Sequence, residues 1–405
     1  MSSNYKNFEQ YFLKSFPEAN QQKKKMISFG KQIVHEAKSR NIALAPQLKL
    51  HLHLGYNMEH SKTYLFYQFL FDAYNLSFVS IPFETTEEDF LQRVFPGIKS
   101  NSSIVAATTS TPTKKHAYQV LKKEGERSVL DETSRIVEAI VFLCKIDGKF
   151  YGFAYDGEAA INYLQDQQNF HFNSKVVLMY GFGPAARETL ATLGQKMRAE
   201  SAHCTVYVIE IDSSLEKYTK EIQKIFPDNF KIDFSLSSSS NIKLLKKAAI
   251  IMNFTGLGKK EDSTPINQEE MVKLVAYYQK DAAKFKGKLP LFWDANYRTN
   301  NPKRLWETLF MHDARNFFEL LGQDTYINRN VISGLGMALY NELLGFQEMT
   351  GIRLPQDKNK LLSTRVYQSY EKYVLQLLDY VQQGKTMPSK IRNLFIKKFK
   401  ATLIK

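Results

Sequence analysis

Gly181, Gly183 and Ala186 stand in GxGxxA spacing between an apolar run ending at Tyr180 and a segment whose Ala186, Leu190, Leu193 and Met197 recur at helical period. A glycine turn between a strand and a helix can cradle a dinucleotide pyrophosphate. Gly181 permits the tight turn, Gly183 lets the backbone approach the phosphates, and Ala186 is small enough for close helix-to-strand packing. Pro184 and Ala185 open the helix. The missing N–H of Pro184 is not needed in a first turn, and the exposed N–H groups there favour an anion. The competing reading is a structural turn without a ligand. At the end of the next strand, TVYVIEID, Asp212 can accept hydrogen bonds from ribose hydroxyls and repel a 2′-phosphate. Glu210 lies two residues earlier on the same face, and Ser213-Ser214 brings no arginine. NAD is therefore expected ahead of NADP, with capping of the following helix as the other role open to Asp212.

Other residues with chemical potential are sparse. His51 and His53 alternate with leucines in LKLHLHLG and share one face of a strand. No Cys or carboxylate nearby completes a metal shell, so a polar strand face is the preferred reading and no metal is expected. Cys144 and Cys204 suggest neither a disulfide framework nor a thiolate site, and read as packed thiols.

The elements that must position these residues alternate. After a helical extension over residues 1–45, a strand from Leu48 ends at Gly55. Then come a helix over residues 61–74, the strand LSFVSIPF, a helix beginning near Glu84, a strand at Ser103–Ala107 and the turn-rich stretch TTSTPTKK. A further helix lies near residues 131–139. Two strands about Asp147-Gly148 follow, and a second Asp-Gly pair places Asp156 at a strand end. From Lys175 a second series begins, with strands VVLMY, TVYVIEID, AAIIMNF and PLFWDA separated by helices; SLSSSSN reads as a loop. This is a doubly wound α/β pattern.

The chain of 405 residues carries 55 Lys+Arg against 41 Asp+Glu, a formal net charge of +14. No run approaches the roughly 20 apolar residues of a spanning helix, and the N-terminus lacks an apolar signal core, so a cytoplasmic protein is expected. Basic residues concentrate at Lys23–Lys25 and from Lys385 to Lys405. Within the latter run Ile391, Leu394, Phe395, Phe399 and Leu403 recur at helical spacing. A terminal helix docked on its own domain is the preferred reading, and an anionic partner for the basic tail is the alternative.

From about Leu48 to Gly351 the residues resemble the shikimate and quinate dehydrogenase family. Gly55 with His60-Ser61-Lys62-Thr63 is similar to the family's HSxS signature, with Ser61 and Thr63 at its substrate-carboxylate hydroxyls. Ser110-Thr111-Pro112-Thr113-Lys114 is similar to VTxPxK, placing Lys114 at the catalytic lysine, with Lys115 as the alternative register. Ala154-Tyr155-Asp156-Gly157 matches NTDG at Asp156, the catalytic aspartate, and at Gly157. Val141 stands where the family's GAVN has a substrate-contacting asparagine. Asn253-Phe254-Thr255-Gly256-Leu257-Gly258 resembles NxTxxG beside the nicotinamide, and Asp294 to Tyr297 resembles DxxY. Gly334-Leu335-Gly336-Met337 with Asn341 resembles GxGMLxxQ.

The resemblance implies a substrate-binding domain over residues 46–160, a Rossmann domain over 161–330 and C-terminal helices over 331–405 returning to the first. It implies a carboxylated small-molecule substrate bound between the domains through Ser61, Thr63, Tyr297 and Asn341. The cofactor would contact Asn253, Thr255 and Gly336 besides the glycine turn, and Lys114 with Asp156 would move the proton of a ring alcohol as hydride passes to NAD or NADP. Val141, Ala154 and Tyr155 remove groups that read ring hydroxyls, so an altered substrate is expected. Two other readings stay open: a dinucleotide-binding protein without turnover, and a module held to an anionic partner by its tail. No obligatory nucleic acid is expected, and a monomer or homodimer is.

Overall fold

The structure, a computed structural model, describes residues 48–56, 58, 63–110, 112–210, 222, 230–235, 242–257, 264–280, 285, 288–296, 308–358 and 360–403. The chain forms two compact units, one of residues 1–155 with 342–405 and the other of residues 156–341. The sequence reading set the boundaries at 160/161 and 330/331; in the structure the Tyr155–Asp166 and Leu335–Thr350 helices straddle the division.

The first unit is built on a six-stranded sheet of β1 (Lys49–Gly55), β2 (Phe78–Glu84), β3 (Ile104–Thr109), β4 (Ser128–Leu130), β5 (Phe142–Ile146) and β6 (Lys149–Phe153), in the order β2-β1-β3-β5-β6-β4. β1 pairs parallel with both β2 and β3, whereas β5 runs antiparallel to β3 and β6. Leu50, Leu52 and Leu54 enter a core with Val79, Ile81, Phe90, Ile98 and Leu121. The opposite face is covered too. Phe69, in the Tyr64–Ala73 helix, stacks on Tyr373 at 3.8 Å between ring centroids and meets Phe399 edge-on at 5.3 Å. The basic terminal helix, Ser389–Leu403, thus docks through buried Phe399, and Arg392 pairs with Asp72. Lys390, Lys397 and Lys398 are exposed, as a docked amphipathic helix requires, while Lys400 donates to Asn75 Oδ1 at 3.1 Å.

Covering both faces changes the meaning of the two histidines. His51 and His53 do point away from the leucines, but into a buried polar layer. The alternating pattern records hydroxyl partners inside the protein instead of water outside it. Cys144 and Cys204 are buried free thiols whose protonated form is favoured by burial.

The second unit holds β7 (Lys175–Tyr180), β8 (Cys204–Ile209), β9 (Phe230–Ser235), β10 (Ile250–Asn253), β11 (Leu291–Asp294) and β12 (Val331–Ser333), ordered β12-β11-β10-β7-β8-β9 and parallel throughout. That order reverses direction between β7 and β10, which is the topological switch point of a doubly wound sheet. β9 and β12 are strands the sequence pattern did not reveal, being short or interrupted by polar residues. Asp156 also differs from expectation. It lies in the first turn of the Tyr155–Asp166 helix, because β6 already ends at Phe153.

Gly157 makes that helix possible, since a Cβ there would stand 2.2 Å from the backbone oxygen of Glu188 in the Pro184–Ala199 helix. Gly157→Ala is expected to cost about 1–3 kcal/mol, because backbone cannot swing aside as a side chain can. Gly256→Ala, where nothing lies within 4 Å, should leave the urea midpoint unchanged. Equal midpoints for the two variants would contradict this packing.

Candidate active site

In the second unit, Gly181 follows β7 with φ +93, a conformation that glycine tolerates. A Cβ there would lie 3.0–3.1 Å from Thr255 and Phe254 of the loop after β10, so the two switch-point loops touch at this glycine. Gly183 is different: it has ordinary backbone geometry, and a Cβ would meet nothing within 4 Å. Pro184 and Ala185 open the helix, and Ala186 is fully buried against the sheet together with Leu190, Leu193 and Met197. This combination of a forced turn, open space and a helix N-terminus fits a pyrophosphate.

Asp212 lies outside the described residues. The carboxylate that the structure places at the end of β8 is Glu210, whose Oε2 accepts the Phe182 N–H at 2.6 Å. Glu210 thus sits beside the glycine turn, where ribose hydroxyls are bound in folds of this kind. The sequence reading named both Glu210 and Asp212, and of the two Glu210 is the one among the described residues.

Asn253 and Thr255 are committed to each other. Asn253 Oδ1 accepts from the Thr255 N–H at 3.0 Å and its hydroxyl at 2.7 Å, while Nδ2 donates to Leu257 O and to Asp294 Oδ1, each at 3.1 Å. Asp294 also receives Asn296 and the Thr308 hydroxyl, and burial raises its carboxyl to about 6. These side chains shape the 253–257 loop. At Gly336 a Cβ would fall 2.1 Å from the Tyr163 ring, so its bareness admits that ring.

Two separately expected residues meet. Asp156 is 7% exposed, and its Oδ1 accepts the Asn341 Nδ2–H at 2.7 Å. The Asp156 N–H donates to Oε2 of fully buried Glu188 at 3.0 Å. Glu188 is the residue that sequence reasoning missed. Its signal was an ionisable side chain in a helix segment whose neighbours all pack inward.

In the first unit, Ser61 lies outside the described residues, as does Tyr297 in the second. Thr63 is buried just before the Tyr64–Ala73 helix, with Oγ1 3.0 Å from His53 Nε2. Lys114 is half-buried at the second position of the Thr113–Glu124 helix, whereas Lys115 is exposed. That favours Lys114 as the inward-facing member of the pair. The stretch read as turn-rich is in fact the end of β3 and the start of this helix, which is anchored where the Thr113 hydroxyl and the Thr113 N–H both donate to Ser110 O at 2.8 Å. Gly55 permits the approach of Ser110, whose Oγ would stand 2.0 Å from a Cβ. Val141 and Ala154, each 2% exposed, bring no polar side chain, and Tyr155 stacks on Phe153 at 4.9 Å.

Behind Thr63, His51 Nδ1 lies 2.8 Å from Ser80 Oγ, and Nε2 lies 3.0 Å from Thr108 Oγ1, which donates to the Tyr67 hydroxyl at 3.4 Å. His51 is thus held between two hydroxyls, each able to donate or accept, which satisfies both nitrogens of a neutral ring. Burial lowers His53 to about 4, and burial together with His53 lowers His51 well below its ordinary value.

No known family profile matches the chain. The curated shikimate dehydrogenase (NADP(+)) of Methanocaldococcus jannaschii is 25% identical over 299 residues, covering 74% of this chain and 90% of the relative. That of Desulforamulus reducens is 22% identical over 306 residues, covering 75% and 90%. A solved shikimate 5-dehydrogenase from Listeria monocytogenes, in complex with shikimate and NAD, gives a TM-score of 0.58 at 16% identity over 81% of this chain and 96% of that one.

Two outcomes are expected from this geometry. Both histidines are neutral in the fold but protonate near 6.5 when unfolded, so stability present above that pH is lost as pH falls from about 6.5 to 4. For His53 alone the loss is on the order of 3 kcal/mol. Urea unfolding across that range should show it, and His53→Gln should flatten the slope. Gly183→Val should melt like the parent yet bind dinucleotide at least about tenfold more weakly. Unchanged affinity would make the turn purely structural.

Proposed function

We propose that this chain, shikimate dehydrogenase-like in sequence and in fold, is a nicotinamide-dependent oxidoreductase acting on a carboxylated cyclic hydroxy acid. The observation that carries the reading is the Asp156–Asn341 contact, which joins two positions singled out by separate motifs and fixes a buried carboxylate by an amide donor. The Gly181–Ala186 turn would hold a nicotinamide dinucleotide, which would supply the hydride chemistry.

The remaining work falls to the chain's own groups. Asp156, held through Oδ1 by Asn341, is the carboxylate assigned to the alcohol proton. Lys114 supplies a cation that holds the alcohol oxygen and shares in the proton transfer. The hydroxyl of Thr63 serves the substrate carboxylate. For Thr63 to donate to that carboxylate, His53 Nε2 must carry the proton of their mutual bond, so the neutral histidine sets the polarity of the threonine. Val141 and Ala154 offer no partners for ring hydroxyls, which supports a less hydroxylated acid than shikimate.

Glu210 supports NAD, because a carboxylate beside the turn repels a 2′-phosphate. The named relatives use NADP, so the choice is tested directly. Glu210→Ser should raise NADP affinity relative to NAD; an unchanged ratio would remove Glu210 from the assignment.

Turnover is tested by reduction of NAD and NADP with shikimate, quinate and simpler cyclic hydroxy acids. Lys114→Ala should abolish turnover while dinucleotide affinity survives. Loss of both together would place Lys114 on the wrong side of the chemistry. Dinucleotide binding without turnover on any acid would favour the non-catalytic reading.

A further inference from the structure

The first unit has a second recess, at the end of its sheet remote from Thr63 and Lys114. Those residues follow the C-terminal ends of β1 and β3. At the N-terminal ends of β1, β2 and β3 lies a cavity of about 710 Å³, bordered by Lys49 and Phe78, the first residues of β1 and β2, and by Val105 of β3. A volume of this order is typical of small-molecule sites.

Its charge is unbalanced. Lys49, Lys99, Arg127 and Lys145 line it, facing Glu124 and Asp147. Lys99 Nζ donates to both oxygens of Glu124, at 2.8 and 2.9 Å, so that pair cancels. Lys49 and Arg127 make no ion pair among the described residues. Three cations therefore face one carboxylate, an excess of two positive charges.

Lys145 is also fixed in place. It is half-buried, and its Nζ donates to Ile98 O and Asn101 O, each at 2.7 Å, which leaves one N–H for another acceptor. Burial and the nearby Lys49 both lower its proton affinity, as expected for cations gathered without an anion between them. The hydroxyls of Ser100 and Ser102 and the rings of Phe78 and Phe150 complete the walls.

We infer that this cavity is a second ligand site, for a small phosphomonoester with an apolar body. A phosphate dianion matches the excess charge on one group, and its three terminal oxygens can meet Lys49, Arg127 and Lys145 together. The aromatic walls accommodate the organic part.

The probe is phenyl phosphate, titrated calorimetrically into the full chain above the second phosphate pKa of about 6. Saturable binding is expected, weakened about tenfold or more by Lys49→Gln and by Arg127→Gln, with each variant melting like the parent. Phenol should not bind, and saturating NADP should leave the phenyl phosphate titration unchanged. No saturable binding, undiminished binding in either variant, equal binding of phenol, or competition by NADP would each overturn the assignment.

Discussion

The close approach at Gly181 is the constraint on which the second unit turns. With φ +93 and the 254–255 backbone 3.1 Å from where a Cβ would be, the loops after β7 and β10 can meet only at a residue without a side chain. That contact sets the switch point, and the switch point leaves the space beside Gly183 open. The Asn253–Thr255–Asp294 network then holds the second loop from behind. A buried carboxylate surrounded by donors is costly to desolvate, but it fixes several backbone segments at once.

The first unit meets a comparable cost in another way. Its β1 is covered on both faces, and the polar face is matched hydroxyl by hydroxyl with Ser80, Thr108 and Thr63. The layer continues to Tyr67, which passes where Gly345 lacks a side chain, and to Glu342, whose carboxyl burial holds well above its ordinary proton affinity. Neither Glu342 Oε2 nor the Tyr370 hydroxyl has a hydrogen-bond partner among the described residues. Burial thus disfavours the charged forms of both histidines and of Glu342 alike.

The two units consequently differ in what their loops can do. In the second, strand ends deliver backbone amides and one carboxylate, Glu210, to a turn with room beside it. In the first, Thr63 stands before its helix bonded to His53 of β1, and Lys114 lies in a helix whose start is tied to Ser110. Parallel pairing of β1, β2 and β3 and of β7 through β12 leaves the C-terminal ends of those strands free of hairpins.

Periodicity and glycine spacing by themselves determined the doubly wound series from Lys175, the glycine turn, the Asp147-Gly148 hairpin and the docked amphipathic tail, because each is a local pattern. Motif resemblance added Lys114, Asp156 and Asn341 as separate points along the chain. Tertiary structure alone decided that Asp156 and Asn341 touch, that Glu188 caps the helix between β6 and β7, and that Glu210 accepts the Phe182 N–H of the glycine turn. It also decided that His51 and His53 are buried. The physical reason is that alternation tells which way a side chain points, but whether water or another element waits there depends on segments elsewhere in the chain, which for β1 are the helix bearing Tyr67 and the strands bearing Ser80 and Thr108.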